Sequence, residues 1–250
     1  MKPLALSIAG SDSCGGAGIQ ADLAAFAALG VRGATAITAV TAQNRSGVRA
    51  VQVLPATLVR EQVDAVFEEE PVRAVKLGML AEASIIEAVA ASLRQHRAAA
   101  VVIDPVMIAS SGARLLRTDA VAMLRRELLP LADCLTPNLD EAAALLDVPR
   151  ARDEAQMLAQ GRALLALGPR AVLMKGGHAP LAEAVDLLVQ PQSAQRFAAP
   201  WIIGADGHGS GCTLSAAVAA GLALGDGLEV AVGAAKRHLG SWLGERFRSS

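Results

Sequence analysis

The chain has 250 residues, 53% apolar and 19% charged, with a mean hydropathy of +0.40, enough for one large core without disulfides or structural metals. Its 23 Lys and Arg against 24 Asp and Glu give a formal net charge of -1, and the two signs are scattered, which argues against nucleic acid as the main partner. Six aromatic residues, none of them Tyr, supply no platform for stacking bases, so a small soluble ligand fits better.

Cys14, Cys134 and Cys212 are far apart and lack the spacing of a zinc site, as expected of a reduced, cytoplasmic chain. The apolar run 4–9 follows a single cation and runs at once into Asp12, which fits a buried first strand better than a secretory signal. Residues 212–224 are interrupted by Thr213, Ser215 and Gly221 and fall short of the roughly 18 to 20 residues that span a bilayer, so no membrane is expected.

Short apolar runs alternate with segments of helical periodicity, the pattern of βαβ units on a mostly parallel sheet. Strand 4–9 leads to a helix over 17–29, whose stripe is Ile19, Leu23, Phe26 and Ala27 and whose stop is Gly30. Strands 34–40 and 48–54 precede a helix over 57–69 capped by Thr57, then strand 74–77. Helix 82–95 leads to strand 100–103, and helix 118–129 to strand 133–135. Helices 139–146 and 153–167, strand 171–174, and β segments 184–189 and 194–197 follow, before helices 211–224 and 228–247 close the chain. No long linker or low-complexity tract divides it, so residues 1–250 read as a single three-layer α/β/α domain.

In open parallel sheets, ligands bind beyond the carboxyl ends of the strands, and five such places carry chemistry-bearing residues. The Gly-rich run from Gly10 to Gly18 joins strand to helix. It matches neither a dinucleotide fingerprint nor a Walker loop, and serves a tight turn as well as a ligand. Asp22, one turn into that helix, either faces the cleft or is a solvated carboxylate. Gln43 and Asn44 end a β run; they suit a turn, or can offer a donor and an acceptor to a polar heterocycle. Asp104 directly follows a β-branched run, and Asn138 with Glu141 has the spacing of a capping box. Asp104 and Glu141 at neighbouring strand ends can also hold a hydrated Mg²⁺.

The sharpest signal is residues 207–213, where Gly207, Gly209, Ser210, Gly211 and Cys212 open an apolar helix and leave several N–H groups aimed at one spot. A thiol there is expected to shift toward thiolate, which makes Cys212 a base or a polar contact, against the plainer reading of a buried structural cysteine. Lysine is rare, with only Lys2, Lys76, Lys175 and Lys236, and Lys175 before Gly176 and Gly177 suits a phosphate clamp. His178 and His208 have no partners at metal spacing and are left unassigned. These parts together match phosphoryl transfer, where positioning and charge stabilisation do most of the catalysis.

The run from Ala9 to Asp22, with Thr41-Ala-Gln-Asn44, Lys76-Leu-Gly-Met79, Asp104-Pro-Val-Met107, Thr136-Pro-Asn-Leu-Asp-Glu141, Lys175-Gly-Gly-His178 and Gly209-Ser-Gly-Cys-Thr-Leu-Ser215, closely resembles the hydroxymethylpyrimidine/phosphomethylpyrimidine kinases of thiamin biosynthesis. The resemblance runs in order across nearly the whole chain. It implies a ribokinase-like fold, a homodimer, and phosphorylation of 4-amino-5-hydroxymethyl-2-methylpyrimidine by Mg·ATP, first to the monophosphate and then to the diphosphate. By the same resemblance Gly10, Ala17, Asp22, Gln43, Met79 and Val106 hold the pyrimidine. Lys175 bridges ATP phosphates with Asn138 on the same side, Asp104 and Glu141 face the metal, and Gly209, Ser210, Gly211 and Cys212 stabilise the transferring group.

Most ribokinase-like sugar kinases carry Asp where Cys212 stands. A thiol that is weakly basic and not permanently charged suits both an alcohol and a phosphate acceptor. Ser210 stands where the family usually has Thr, and Cys14 replaces a small residue of the first loop. The rival readings are a pyridoxal kinase of the same fold and a non-catalytic sensor of pyrimidines or nucleotides.

Overall fold

The apolar run at the N-terminus becomes β1 (Leu4–Asp12), longer than the six residues expected and buried along both faces until Ser11, as suits a strand covered on two sides. The structure is a computed structural model and describes residues 2–44, 47–107, 115–177, 183–202 and 207–248. In chain order the further elements are α1 (Gly18–Ala28), β2 (Arg32–Asn44), β3 (Gly47–Val53), α2 (Ala56–Glu69), β4 (Val72–Leu77), α3 (Ala83–Gln95) and β5 (Val101–Ile103). Then come α4 (Thr118–Met123), β6 (Cys134–Leu135), α5 (Leu139–Leu146), α6 (Glu154–Leu165), β7 (Val172–Lys175), β8 (Ala184–Gln190), β9 (Ser193–Ala199), α7 (Ser210–Leu224) and α8 (Leu228–Arg248).

Among the described residues the nine strands form one sheet in the order β3-β2-β1-β4-β5-β6-β7-β8-β9. Its centre, from β2 through β7, is parallel, while β3 at one edge and β8 and β9 at the other run antiparallel. The chain moves outward from β1 to β2 on one side and to β4 on the other. That reversal of strand order opens a crevice at the carboxyl ends of β1 and β4.

Alternation along the strands sorts the core into two layers. Leu6, Ile8, Val75, Leu77, Val101, Ile103 and Leu135 pack against α2, α3, α4, α5 and α6. On the opposite face the same strands present Ala5, Ala74, Val102 and Cys134 to Phe26 of α1 and to the alanines of α7. Small residues on both sides let α7 lie close to the sheet, which carries its first turn over the crevice.

Three local expectations are corrected. Pro55, not Thr57, occupies the N-cap of α2, and no side chain caps it. The helix expected over 118–129 is α-helical only to Met123 and then widens into one π turn (Leu124–Leu128) and a 3-10 turn (Leu129–Leu131) containing Pro130, whose missing N–H cannot continue an α-helix. In α1 the buried stripe is Ile19, Ala21, Asp22, Ala25 and Phe26, with Ala27 exposed. Among the described residues no helix is long and apolar enough to cross a membrane.

Candidate active site

Beyond the strand ends lies a cleft of about 790 Å³ that runs from Gly10, Gln43, Met79 and Val106, past Lys76, Asp104, Lys175 and Cys212, to Trp201, Asp186 and Lys236. Its depth comes from two Gly-containing loops that meet over the crevice. Asp12, at the end of β1, accepts from the backbone N–H groups of Cys14 (2.9 Å), Gly16 (3.1 Å) and Ala17 (2.9 Å) and so folds the first loop around its own carboxylate. The same carboxylate lies 3.2 Å from His208 Nε2 in the loop before α7. Next to His208, Gly209 has a left-handed backbone with φ 80°, and a Cβ there would fall 1.8 Å from the carbonyl oxygen of Gly16. Only glycine lets the two loops approach this closely.

At one end of the cleft the walls are Gly10, Met79, Val106 and Gln43. A Cβ at Gly10 would lie 3.1 Å from Met79 Sδ, Met79 clusters with Ala39 and Ala81, and Val106 packs on that cluster. Gln43 is held through its main chain, donating to and accepting from Ser13 Oγ at 2.8 Å, while its amide reaches His208 at 3.5 Å. Ala17 lines the same end. Asp22 does not. It is fully buried beneath the floor, where it accepts from Ser7 Oγ at 2.6 Å and from Lys76 Nζ at 2.9 Å. The expectation of a solvated or cleft-facing carboxylate is therefore corrected: the side chain falls on the core stripe of α1. Burial pushes Asp22 above the usual carboxylate range, with Lys76 opposing.

In the middle, Lys175 at the end of β7 donates to Asp104 Oδ1 at 2.6 Å and lies 4.0 Å from Glu141 Oε2. Its ammonium sits against the first turn of α7, since a Cβ on Gly211 would be 3.1 Å away. Burial works against the charge of Asp104, yet Lys175 and Lys76 hold it below the ordinary range. Burial also works against Lys175, and Asp104 with Glu141 holds it above the ordinary range. Glu141 is pushed up to about 7, by burial first and then by Asp104. The capping box is present in both directions, Asn138 Oδ1 accepting from Glu141 N and Glu141 Oε2 accepting from Asn138 N, each at 2.8 Å.

At the start of α7 the donors are fewer than the sequence suggests. Ser210 N–H is taken by the Gly207 carbonyl at 3.0 Å, so its amide is not offered to the cleft. Gly211 and Cys212, in the first turn, have no preceding turn of their own helix to bond. The Cys212 thiol is not drawn toward thiolate. Loss of solvent pushes it up to about 11, Asp104 and Asp22 adding to this, while Lys76 opposes. His178 lies outside the described residues.

Asp104 and Glu141 can hold a divalent cation only indirectly. Asp104 already accepts from Lys175 and faces Ser215 Oγ at 3.2 Å, and Glu141 already accepts a backbone N–H. Among the described residues no three His, Cys, Asp or Glu side chains converge. This donor set fits Mg²⁺, which usually keeps several waters and relies on substrate phosphates for the rest of its shell.

Sequence reading missed Asp12, His208 as a cleft residue, Lys76 and the Asp186–Lys236 pair. Asp12 had a usable signal, a carboxylate placed before a run of small residues whose N–H groups need an acceptor. The pairing of Asp186 with Lys236, at 2.5 Å, joins β8 to α8 and had no local signal.

The model of the family described as phosphomethylpyrimidine kinase matches residues 12–249. A hydroxymethylpyrimidine/phosphomethylpyrimidine kinase of Rhizobium meliloti is 54% identical over 96% of this chain and 90% of that protein. Its Escherichia coli counterpart is 53% identical over 86% of this chain and 81% of that protein. Among solved structures, the phosphomethylpyrimidine kinase of Clostridium difficile superposes with a TM-score of 0.86 at 42% identity, covering 97% of this chain and 100% of that one. A pyridoxal kinase of Staphylococcus aureus in complex with AMP-PCP and pyridoxal gives 0.88 at 30% identity, covering 96% of this chain and 87% of that one.

Proposed function

Because the chain belongs to the phosphomethylpyrimidine kinase family, a family of phosphotransferases with the ribokinase-like fold, we propose how its cleft divides the work between a pyrimidine and ATP. The acceptor, 4-amino-5-hydroxymethyl-2-methylpyrimidine, lies between Gly10, Ala17, Met79 and Val106 with its ring edge on Gln43. ATP enters from the Trp201 end, its phosphates toward Lys175 and Asn138. The product of the first transfer is phosphorylated again to the diphosphate, which serves thiamin diphosphate synthesis. The reading includes a single domain over residues 1–250, a cytoplasmic location and a homodimer.

One observation carries this division: Lys175, with Asp104 and Glu141, lies under the first turn of α7 in a cleft whose lining combines the apolar Gly10, Met79 and Val106 walls and the Gln43 amide with Trp201, Leu239 and Leu243. A γ-phosphoryl group beside Lys175 meets a cation and the helix N-terminus together. Mg²⁺, when bound with ATP, supplies further neutralisation of the phosphate charge, and Asp104 and Glu141 would hold its waters. Lys175 keeps the donor phosphates in line. Cys212, neutral and close to the acceptor, takes part as a hydrogen-bond partner for the hydroxyl and does not repel a phosphate that replaces it.

The reading is tested by incubating the protein with Mg·ATP and either the pyrimidine alcohol or pyridoxal, and weighing the products. Mono- and diphosphate from the pyrimidine are expected. Phosphorylation of pyridoxal alone would move the assignment to the other vitamin, and no product from either would remove the catalytic reading.

A further inference from the structure

Among the described residues three lysines border the cleft and no arginine does. Lys236 is paired with Asp186, the register partner of Lys175 on β8, and Lys175 with Asp104. The third, Lys76 on β4, has its Nζ beneath Gly78, where the backbone also meets Ala9 beside the Gly10 wall, and is paired with Asp22. Both members of this last pair are 0% exposed. A buried ion pair is a poor stabiliser, since apolar side chains of similar volume usually serve a core as well. Lys76 nevertheless has room kept for it: a Cβ on Gly78 would lie 2.9 Å from its Nζ. Lys76 borders the cleft and Asp22 does not, so the pair is a dipole whose positive end faces the acceptor. Its field reaches Cys212 and Asp104, both of which Lys76 draws toward their charged forms.

We propose that Lys76, held by Asp22, is a positioning charge for the second phosphorylation, in which the acceptor is itself a phosphate. This rests on the two-step reading above. In the first transfer the acceptor oxygen bonds to the γ-phosphorus, the bond from that phosphorus to the β,γ-bridging oxygen breaks, ADP leaves, and the hydroxyl proton is released. In the second, an oxygen of the monophosphate attacks the γ-phosphorus of a new ATP with the same bond changes and no proton to lose. The difficulty then is repulsion, because a dianion must enter beside Asp104 and the donor phosphates. Lys175 is committed to the donor phosphates in the reading above, and Lys236 is held by Asp186, the register partner of Lys175 on β8, which leaves Lys76, itself paired with Asp22, as the third cation bordering the cleft. Being fully covered, it acts through the cleft floor, attracting a phosphate while Asp22 limits its effect on a neutral alcohol.

The test compares kcat/KM for the alcohol and for its monophosphate, each with Mg·ATP, in the wild type, Lys76→Met, Lys76→Gln and Lys76→Met/Asp22→Asn. The double variant removes the unpaired carboxylate that Lys76→Met leaves behind. Lys76→Gln removes the charge but still donates to Asp22, which covers a failure of the methionine variant to fold. In every folded variant the ratio of the second step to the first is expected to fall about tenfold or more, chiefly through KM for the monophosphate. An unchanged ratio, or equal losses at both steps, overturns the proposal. A wild type that fails to phosphorylate the monophosphate overturns the two-step reading instead.

Discussion

The two faces of the sheet are built to different specifications. One is filled with long aliphatic side chains from five helices, and its members are leucine, isoleucine, valine and methionine for the most part. The other is lined by Ala5, Ala74, Cys134 and Ala171, against which α7 lays Ala216, Ala217, Ala219 and Ala220. The first face supplies most of the apolar area removed from water and hence most of the stability. The second supplies less area but a closer approach, and the helix brought close is the one whose first turn carries Cys212 and meets Lys175. Stability and chemistry are thus partly separated across a single layer of strands.

That separation can be broken most severely at the chemical face. Lys175→Ala combined with Asp104→Asn, which leaves no unpaired buried carboxylate behind, is expected to lower kcat/KM by about 10²–10³-fold or more with a comparatively small change in Tm. A loss of Tm as large as that of a core truncation would show that the pair with Asp104 is mainly structural. Gly209→Ala should damage both properties, because it adds a Cβ 1.8 Å from the Gly16 carbonyl at a left-handed position. Destabilisation of about 3 kcal/mol or more is expected by denaturant titration, with activity lost. On the opposite face, Leu164→Ala removes a fully buried side chain and should cost about 2–5 kcal/mol of stability while leaving kcat/KM of the folded enzyme within about twofold. A large drop in kcat/KM there would mean that the two faces are mechanically coupled.

The smallest effect concerns the cysteines. With the Cys212 thiol pushed up to about 11, its reactive thiolate is scarce at pH 8 and grows about tenfold per pH unit up to that value. Iodoacetamide at pH 8 should therefore label exposed Cys14 first and Cys212 far more slowly, as read by peptide mass. Rapid labelling of Cys212 at pH 8 would restore the thiolate expected from its place at a helix N-terminus.

Much of this architecture was legible in the sequence, and the failures have physical causes. Helix α5 matched its predicted bounds, residues 139–146, because Asn138 and Glu141 form a local capping box that needs no tertiary information. The alternation of strand and helix gave the mostly parallel three-layer sandwich for a similar reason. Asp22 was misplaced because spacing along a helix gives its direction around the axis but not whether a carboxylate on the inner side meets water or a buried lysine. Lys76 stood out only as a rare residue, since its partner lies 54 positions away. The direction of the Cys212 shift was misjudged because the helix start is visible in sequence, whereas the covering of the thiol and the nearby Asp104 and Asp22 are not.

The contact of Asp12 with His208 spans 196 positions of the chain, and Gly209 touches Gly16 across almost as many. The junction of these two loops therefore forms only when nearly the whole chain is present. A nascent chain can complete most of the parallel sheet while the first loop still lacks its counterpart, and the cleft closes only when α7 has been made and has docked. Nucleotide binding should then report completion of the whole molecule, so that added ATP protects finished chains from proteolysis and leaves chains stopped before residue 207 unprotected.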